Sequence, residues 1–184
     1  AAGTSAAADA TYVDDVFSTF LYEGTGSART ITNGIDLSGE GGMVWTKSRT
    51  GVDHHSITDT ERGYTKRLRT NVTNGENTYT NSVTSFNSDG FSLGTSGQVN
   101  QSGSDFASWT FRKAPGFFDV VTYTGNGTAG RTVSHSLGSA PGMIWVKTLS
   151  RSNGWAVYHR SLGATKVLFL NGTNAVTTAS TYWN

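Results

Sequence analysis

Asp59 and Glu61 are two carboxylates close together, and a pair of carboxyl groups flanking a glycosidic bond is what glycoside hydrolysis requires. The chain repeats itself at an offset of about 100 residues, and the positions matching this pair hold His159 and Ser161. A scaffold that carried catalysis in each copy would be destroyed by that exchange, so an exposed strand face is the better reading. Asp53-His54-His55 offers metal-ligating side chains, but a metal needs three or four donors converging at fixed distances, and nothing nearby has a recognised spacing. A solvent loop is expected there, with neither metal nor other cofactor. Gly125-Asn126-Gly127-Thr128-Ala129-Gly130 spells the dinucleotide fingerprint, which works only where a helix N-terminus follows to meet the phosphate. Arg131-Thr132-Val133 follows and is strand-like, and Arg29 stands in the first copy where the third glycine would fall, so a turn is expected. No G-x-S-x-G elbow occurs, and scattered Ser and His alone predict no triad.

Arg62, Lys66, Arg67 and Arg69 form a basic cluster suited to gripping anionic sugars or an acidic neighbour through charge-assisted bonds, against the plainer reading of one solvated strand face. Trp45 and Trp145 recur at the same place in both copies and are expected in a shared core. Trp155 and Trp183 differ, because their counterparts are His55 and Val83; they are candidates for sugar stacking or subunit contacts. A small gap would instead pair Trp183-Asn184 with Phe86-Asn87 and return Trp183 to the core. The ligand-binding candidates are therefore Trp155, Trp183, Arg62, Lys66, Arg67 and Arg69. No residue is assigned to catalysis, and the chain is expected not to be an enzyme.

The elements that would position these residues follow from the repeat. Gly42-Met43-Val44-Trp45-Thr46-Lys47 reappears as Gly142-Met143-Ile144-Trp145-Val146-Lys147, and the same register aligns Gly63 with Gly163, Lys66 with Lys166, Leu68 with Leu168 and Asn71 with Asn171. Upstream, Tyr22, Gly24, Gly26, Arg29 and Thr30 match Tyr123, Gly125, Gly127, Arg131 and Thr132. Phe118 to Tyr123, Met143 to Lys147, Trp155 to Tyr158 and Val167 to Leu170 are read as strands from their β-rich composition. Ala107, Trp109 and Phe111 share one face of a further strand, opposite Ser108 and Thr110, as in a half-buried sheet. Between the runs, Gly24-Thr25-Gly26, Asn74-Gly75, Asp89-Gly90, Gly125-Asn126-Gly127 and Asn171-Gly172 are expected to supply positive φ angles for tight turns. No window has sustained helical periodicity.

The fold class expected is all-β: an antiparallel β-sandwich of jelly-roll or lectin-like type, repeated in tandem, with the second copy incomplete. Residues 1–11 read as a flexible Ala-rich leader, 12–113 as the first unit, 114–116 as a linker and 117–184 as a partial second unit. A sandwich without its closing strands leaves apolar faces and edges open. The expectation is that the native chain continues past Asn184 or that a neighbouring subunit completes the unit, and that the start at Ala1 is processed.

Composition limits the partners. A formal net charge of +1 with 15% charged residues provides no field to recruit nucleic acid. The apolar runs fall far short of the roughly 20 residues of a membrane span, so no membrane insertion is expected. Cysteine is absent, which removes disulfides and thiolate chemistry.

The runs Ser85 to Gly94, Ala107 to Lys113, Leu137 to Lys147 and Tyr158 to Gly163 together resemble a repeat of virion structural proteins of tailed bacteriophages, especially those of marine bacteria and cyanobacteria. The resemblance covers the chain from about Tyr12 onward and implies a virion location, in a tail fibre or fibre-like appendage concerned with assembly and host attachment. It implies other virion proteins as partners, a homo-oligomer with a trimer favoured, and a host-surface glycan as the receptor class. A lectin-like carbohydrate-binding module and a capsid decoration protein are the alternatives. No catalytic residues transfer from it.

Overall fold

The computed structural model describes residues 11–183, so the first ten residues of the Ala-rich leader and Asn184 lie outside the described residues. After one helical turn, α1 (Val13–Val16), the chain runs through β1 (Phe17–Glu23), β2 (Arg29–Thr32), β3 (Gly42–Ser48), β4 (Ser56–Asp59) and β5 (Lys66–Arg67). There follow β6 (Asn77–Thr78), β7 (Val83–Asn87), β8 (Gly90–Leu93), the helical turn α2 (Gly97–Asn100) and β9 (Asp105–Arg112). Beyond these lie β10 (Met143–Val146), β11 (Ala156–His159), β12 (Lys166–Phe169) and β13 (Thr177–Thr178). The chain is all-β, and every pairing between these strands is antiparallel.

Two sheets face one another in the first half. One has the order β1-β9-β3-β4 and the other β2-β8-β7. Alternation along the strands decides what each face meets. Tyr22, Val44 and Phe106 point from the first sheet toward Ile31, Val83, Phe91 and Leu93 of the second, and Ile35, Leu37 and Val99 close the cluster. Each large apolar side chain buried in this way contributes on the order of 2 kcal/mol. Asn100, wholly buried, locks the rim: its amide donates to the carbonyls of Ser27 and Gly94 and its oxygen accepts from the Thr25 N–H.

The opposite face of the first sheet is apolar as well, which a half-solvated sheet would not tolerate. Met43, Trp45, Ile57 and Phe111 project from it into a second core completed by Trp145, Trp155, Phe118, Val120 and Leu170. The face carrying Ala107, Trp109 and Phe111 is thus turned toward the second half of the chain, not toward the facing sheet.

In the second half, β10-β11-β12-β13 form one sheet, each strand standing where β3 to β6 stand 100 residues earlier. The pairings coincide: Met43 with Asp59 and Met143 with His159, Trp45 with Ile57 and Trp145 with Val157. So do the hydrogen bonds. The Asn71 side chain accepts from the His55 N–H as Asn171 does from the Trp155 N–H, and the Lys66 and Lys166 ammonium groups donate to Thr78 and Thr178.

Two expectations need correction. Phe118 to Tyr123 is not a strand in this fold. It matches β1, and β1 pairs only with β9; no counterpart of β9 stands in the second half among the described residues, so β propensity has no partner to act on. Gly75 and Gly172 lack positive φ, whereas Gly26, Gly90 and Gly127 have it. Gly75 is there for space, since a Cβ would lie 2.4 Å from the Leu149 carbonyl oxygen. At residues 114–116, expected as a linker, Ala114 and Phe118 exchange backbone hydrogen bonds of 3.0 and 3.2 Å, and the Gly116 N–H donates to the Leu137 carbonyl at 2.8 Å.

Candidate functional site

Of the sequence candidates only Trp155 lies in the apolar core between the two halves; the others are distributed around it and not in the roles the sequence suggests. At the end of β4 the chain reverses, and the Gly63 N–H bonds the Asp59 carbonyl. Asp59 Oδ1 accepts the Arg62 N–H at 3.0 Å and Oδ2 accepts Arg62 Nε at 2.7 Å. The same guanidinium reaches Glu76 Oε2 at 3.1 Å, with Lys66 Nζ 3.8 Å from the other oxygen. Asp59 and Arg62 side chains are only 4% and 5% exposed. Asp59 is therefore not on an exposed face and is closed to any substrate, which removes the carboxylate pair. In the second half the triad of Asp59, Arg62 and Glu76 is replaced by His159, Leu162 and Val176, of which Val176 is exposed, so the ion network has no counterpart there.

The basic cluster is dispersed for the same reason. Alternation along β5 leaves Lys66 outside and turns Arg67 inward, where it is 1% exposed. Its guanidinium lies 3.6 Å over the Tyr79 ring and donates to Gln98 Oε1. Burial lowers its pKa, opposed by Tyr79. At the matching position is Val167, equally buried. Arg69 Nη2 donates to Asn77 Oδ1 at 3.4 Å. Arg62, Lys66, Arg67 and Arg69 do not form one solvent-facing patch, neither as a grip for anions nor as a single solvated face.

Trp155 is 5% exposed, inserted among Met43, Ile57 and Leu68, and its indole N–H donates to the Arg69 carbonyl at 2.9 Å. Its ring faces are covered, so sugar stacking is closed to it; its contact is between halves of one chain. Trp45 and Trp145 meet edge to face at 5.6 Å, and Trp109 also lies 5.6 Å from Trp45. They belong to the seam. Trp45 Nε1 donates to His55 Nδ1 at 3.0 Å, and burial, reinforced by Lys47 and His54, lowers the His55 pKa. Trp183 is half-buried against Tyr158, its N–H donating to the Lys166 carbonyl; it does not join Trp155.

Lys113, which no sequence motif singled out, clasps the seam. Its ammonium lies 2.7 Å from Glu61 and 3.4 Å from Asp119. Its pKa is raised chiefly by the Glu61 hydrogen bond. Burial alone would raise the Asp119 carboxyl, but hydrogen bonds from the Ser136 N–H and hydroxyl, with Lys113 beside them, hold it low. Asp119, His135 and Ser136 line a shallow cleft of about 290 Å³. The three residue types of a hydrolytic triad are present, yet the order is wrong: Ser136 donates directly to Asp119, and His135 Nδ1 accepts from the Leu137 N–H. The histidine is not placed to take the serine proton. On the other side of Lys113 a cleft of about 520 Å³ is lined by Glu40, Glu61, Tyr64 and Phe86, with Tyr64 45% exposed. Among the described residues no group of three His, Asp or Glu could hold a metal, and no helix is long and apolar enough to cross a membrane.

Antiparallel sheets joined by an apolar seam and an ion clasp, with shallow clefts beside it, define an all-β protein whose buried polar groups serve packing. The family described as "Domain of unknown function (DUF7483)" matches residues 13–184, and the chain belongs to that family. No curated protein and no solved structure matches it.

Proposed function

We propose that this chain is a structural protein of a bacteriophage virion, part of a tail fibre or fibre-like appendage, built from tandem β-sandwich units of jelly-roll or lectin-like type and acting mechanically and adhesively, not as an enzyme. The observation that carries this reading is the seam. Trp155 and Trp145 bind the second half to the outer face of the first, Lys113 ties Glu61 of the first half to Asp119 just past the junction, and Leu149 and Thr73 accept backbone N–H groups across the junction at 2.8 and 2.9 Å. A joint so constrained holds successive units at a fixed angle, which a load-bearing stem needs and a flexible tether lacks. The coincident hydrogen bonds 100 residues apart support the tandem reading, and the resemblance of the repeat to virion proteins supplies the setting, with other virion proteins as partners and the virion exterior as location.

A second reading, a lectin-like binding module, draws on the cleft beside Tyr64, where an exposed aromatic ring stands next to Glu40 and Glu61. Solution mass by light scattering, paired with glycan-array binding, separates the two. A stable closed oligomer, a trimer foremost, without sugar binding in this segment is the expected result. A monomer that binds glycan and loses the binding in Tyr64→Ala would overturn the fibre reading in favour of the module.

A further inference from the structure

We propose that the open edge of β10 is an acceptor for one extended strand with the residue pattern of β9, received antiparallel and lying between β10 and the segment from Phe118 to Thr124. The inference rests on the tandem reading above, and the first half provides its template. There β3 has two neighbours, β4 on one edge and β9 on the other. β10 repeats the pairing of β3 with β4 in its pairing with β11, residue for residue, but its other edge has no strand among the described residues. The side chains register the difference: Met43 and Val44 are 6% and 1% exposed, their counterparts Met143 and Ile144 51% and 37%.

The neighbouring segment points to the same occupant. Phe17 and Tyr22 of β1 match Phe118 and Tyr123, and β1 is ordered as a strand by β9 alone. Arg29 and Thr30 of β2 match Arg131 and Thr132, and β2 pairs only with β8. The strands present in the second half are those whose partners also stand there; the missing ones are those that need β8 or β9. One β9-like strand therefore closes the edge of β10 and orders Phe118 to Thr124 together. The template sets its chemistry. Hydroxyl residues lie opposite Val44 and Thr46, and aromatic residues opposite Met43 and Trp45, so the incoming strand places a tryptophan beside Trp145 and a phenylalanine beside Met143.

A second copy of the chain cannot lend its own β9, which is paired on both edges and has Phe106, Ser108 and Thr110 completely buried. The occupant is a strand of this pattern that has no partner of its own.

The probe is a synthetic peptide with the sequence of residues 103–113, added to the chain and followed by hydrogen exchange. Amides of residues 118–124 and 143–148 are expected to slow by tenfold or more together, with a scrambled peptide of the same composition giving no protection. Ile144→Lys, a change at a site already exposed in the free chain, is expected to abolish the protection without unfolding the protein, because an edge lysine opposes strand addition. No protection by the matching peptide, or equal protection by the scrambled one, overturns the proposal. Protection of β10 without peptide that disappears on dilution also overturns it, assigning the edge to a second copy. The tandem reading is tested separately by Asn71→Ala and Asn171→Ala. If each frees the loop of its own half while the peptide fails to bind, only the strand acceptor falls.

Discussion

Trp155 shows how a single side chain can carry a junction. Truncating Trp155→Ala removes the ring from among Met43, Ile57 and Leu68 and leaves the Arg69 carbonyl without its donor. A loss of about 3 kcal/mol in unfolding free energy is expected by urea titration, while Trp155→Phe keeps most of the packing and loses about 1 kcal/mol with the hydrogen bond. Asp59→Asn, which leaves the buried Arg62 guanidinium half-compensated, is expected to cost about 3 kcal/mol in the same titration; a glycosidase carboxylate at the surface would be removed with no such loss. His55 carries a pH dependence. Its Nδ1 accepts the Trp45 N–H and its pKa lies below the unfolded value of about 6.5. Between the two values the unfolded chain binds a proton that the folded chain does not, so stability rises with pH through that window and levels off above it. The urea midpoint is expected to fall from pH 7.5 to pH 5, and His55→Phe to lose part of that fall.

At the scale of elements, pairing overrides propensity. Phe118 to Tyr123 has the composition of a strand and the match to β1, yet it is irregular because a strand is completed by its neighbour's hydrogen bonds and not by its own side chains. Met143 to Val146, Ala156 to His159 and Lys166 to Phe169 form in the same half because they pair with one another. The irregular segment is anchored at a few points instead: Asp119 to Ser136, Lys113 to Asp119, and Gly116 to Leu137. Lys113→Ala is therefore expected to speed hydrogen exchange across residues 117–137 several-fold while changing global stability by less than about 1 kcal/mol, since its ion pair with Glu61 is partly solvated.

At the scale of the whole molecule, two cores share one sheet, the first enclosed between facing sheets and the second between halves of the chain. That arrangement couples the halves, so their unfolding is expected to be a single transition by both tryptophan fluorescence and far-ultraviolet circular dichroism; two separated transitions would mean that the seam does not couple them. The all-β class, the strands at Ala107 to Phe111, Met143 to Lys147, Trp155 to Tyr158 and Val167 to Leu170, and the internal match at 100 residues were legible in the sequence, because alternation, turn residues and self-similarity are local or linear properties. The fates of the polar residues were not. Asp59, Arg62 and Arg67 look like surface chemistry in a linear reading, and only folding brings Glu76 to Arg62 and Tyr79 to Arg67 to bury them in pairs. Lys113 carries no motif, since its partner Glu61 lies 52 residues away and meets it only through the fold, with Asp119 beyond the junction. Trp155 differed visibly from its counterpart His55, but whether an unmatched tryptophan faces solvent or a neighbouring unit depends on which faces come together, and that is decided by the burial of both faces of one sheet at once.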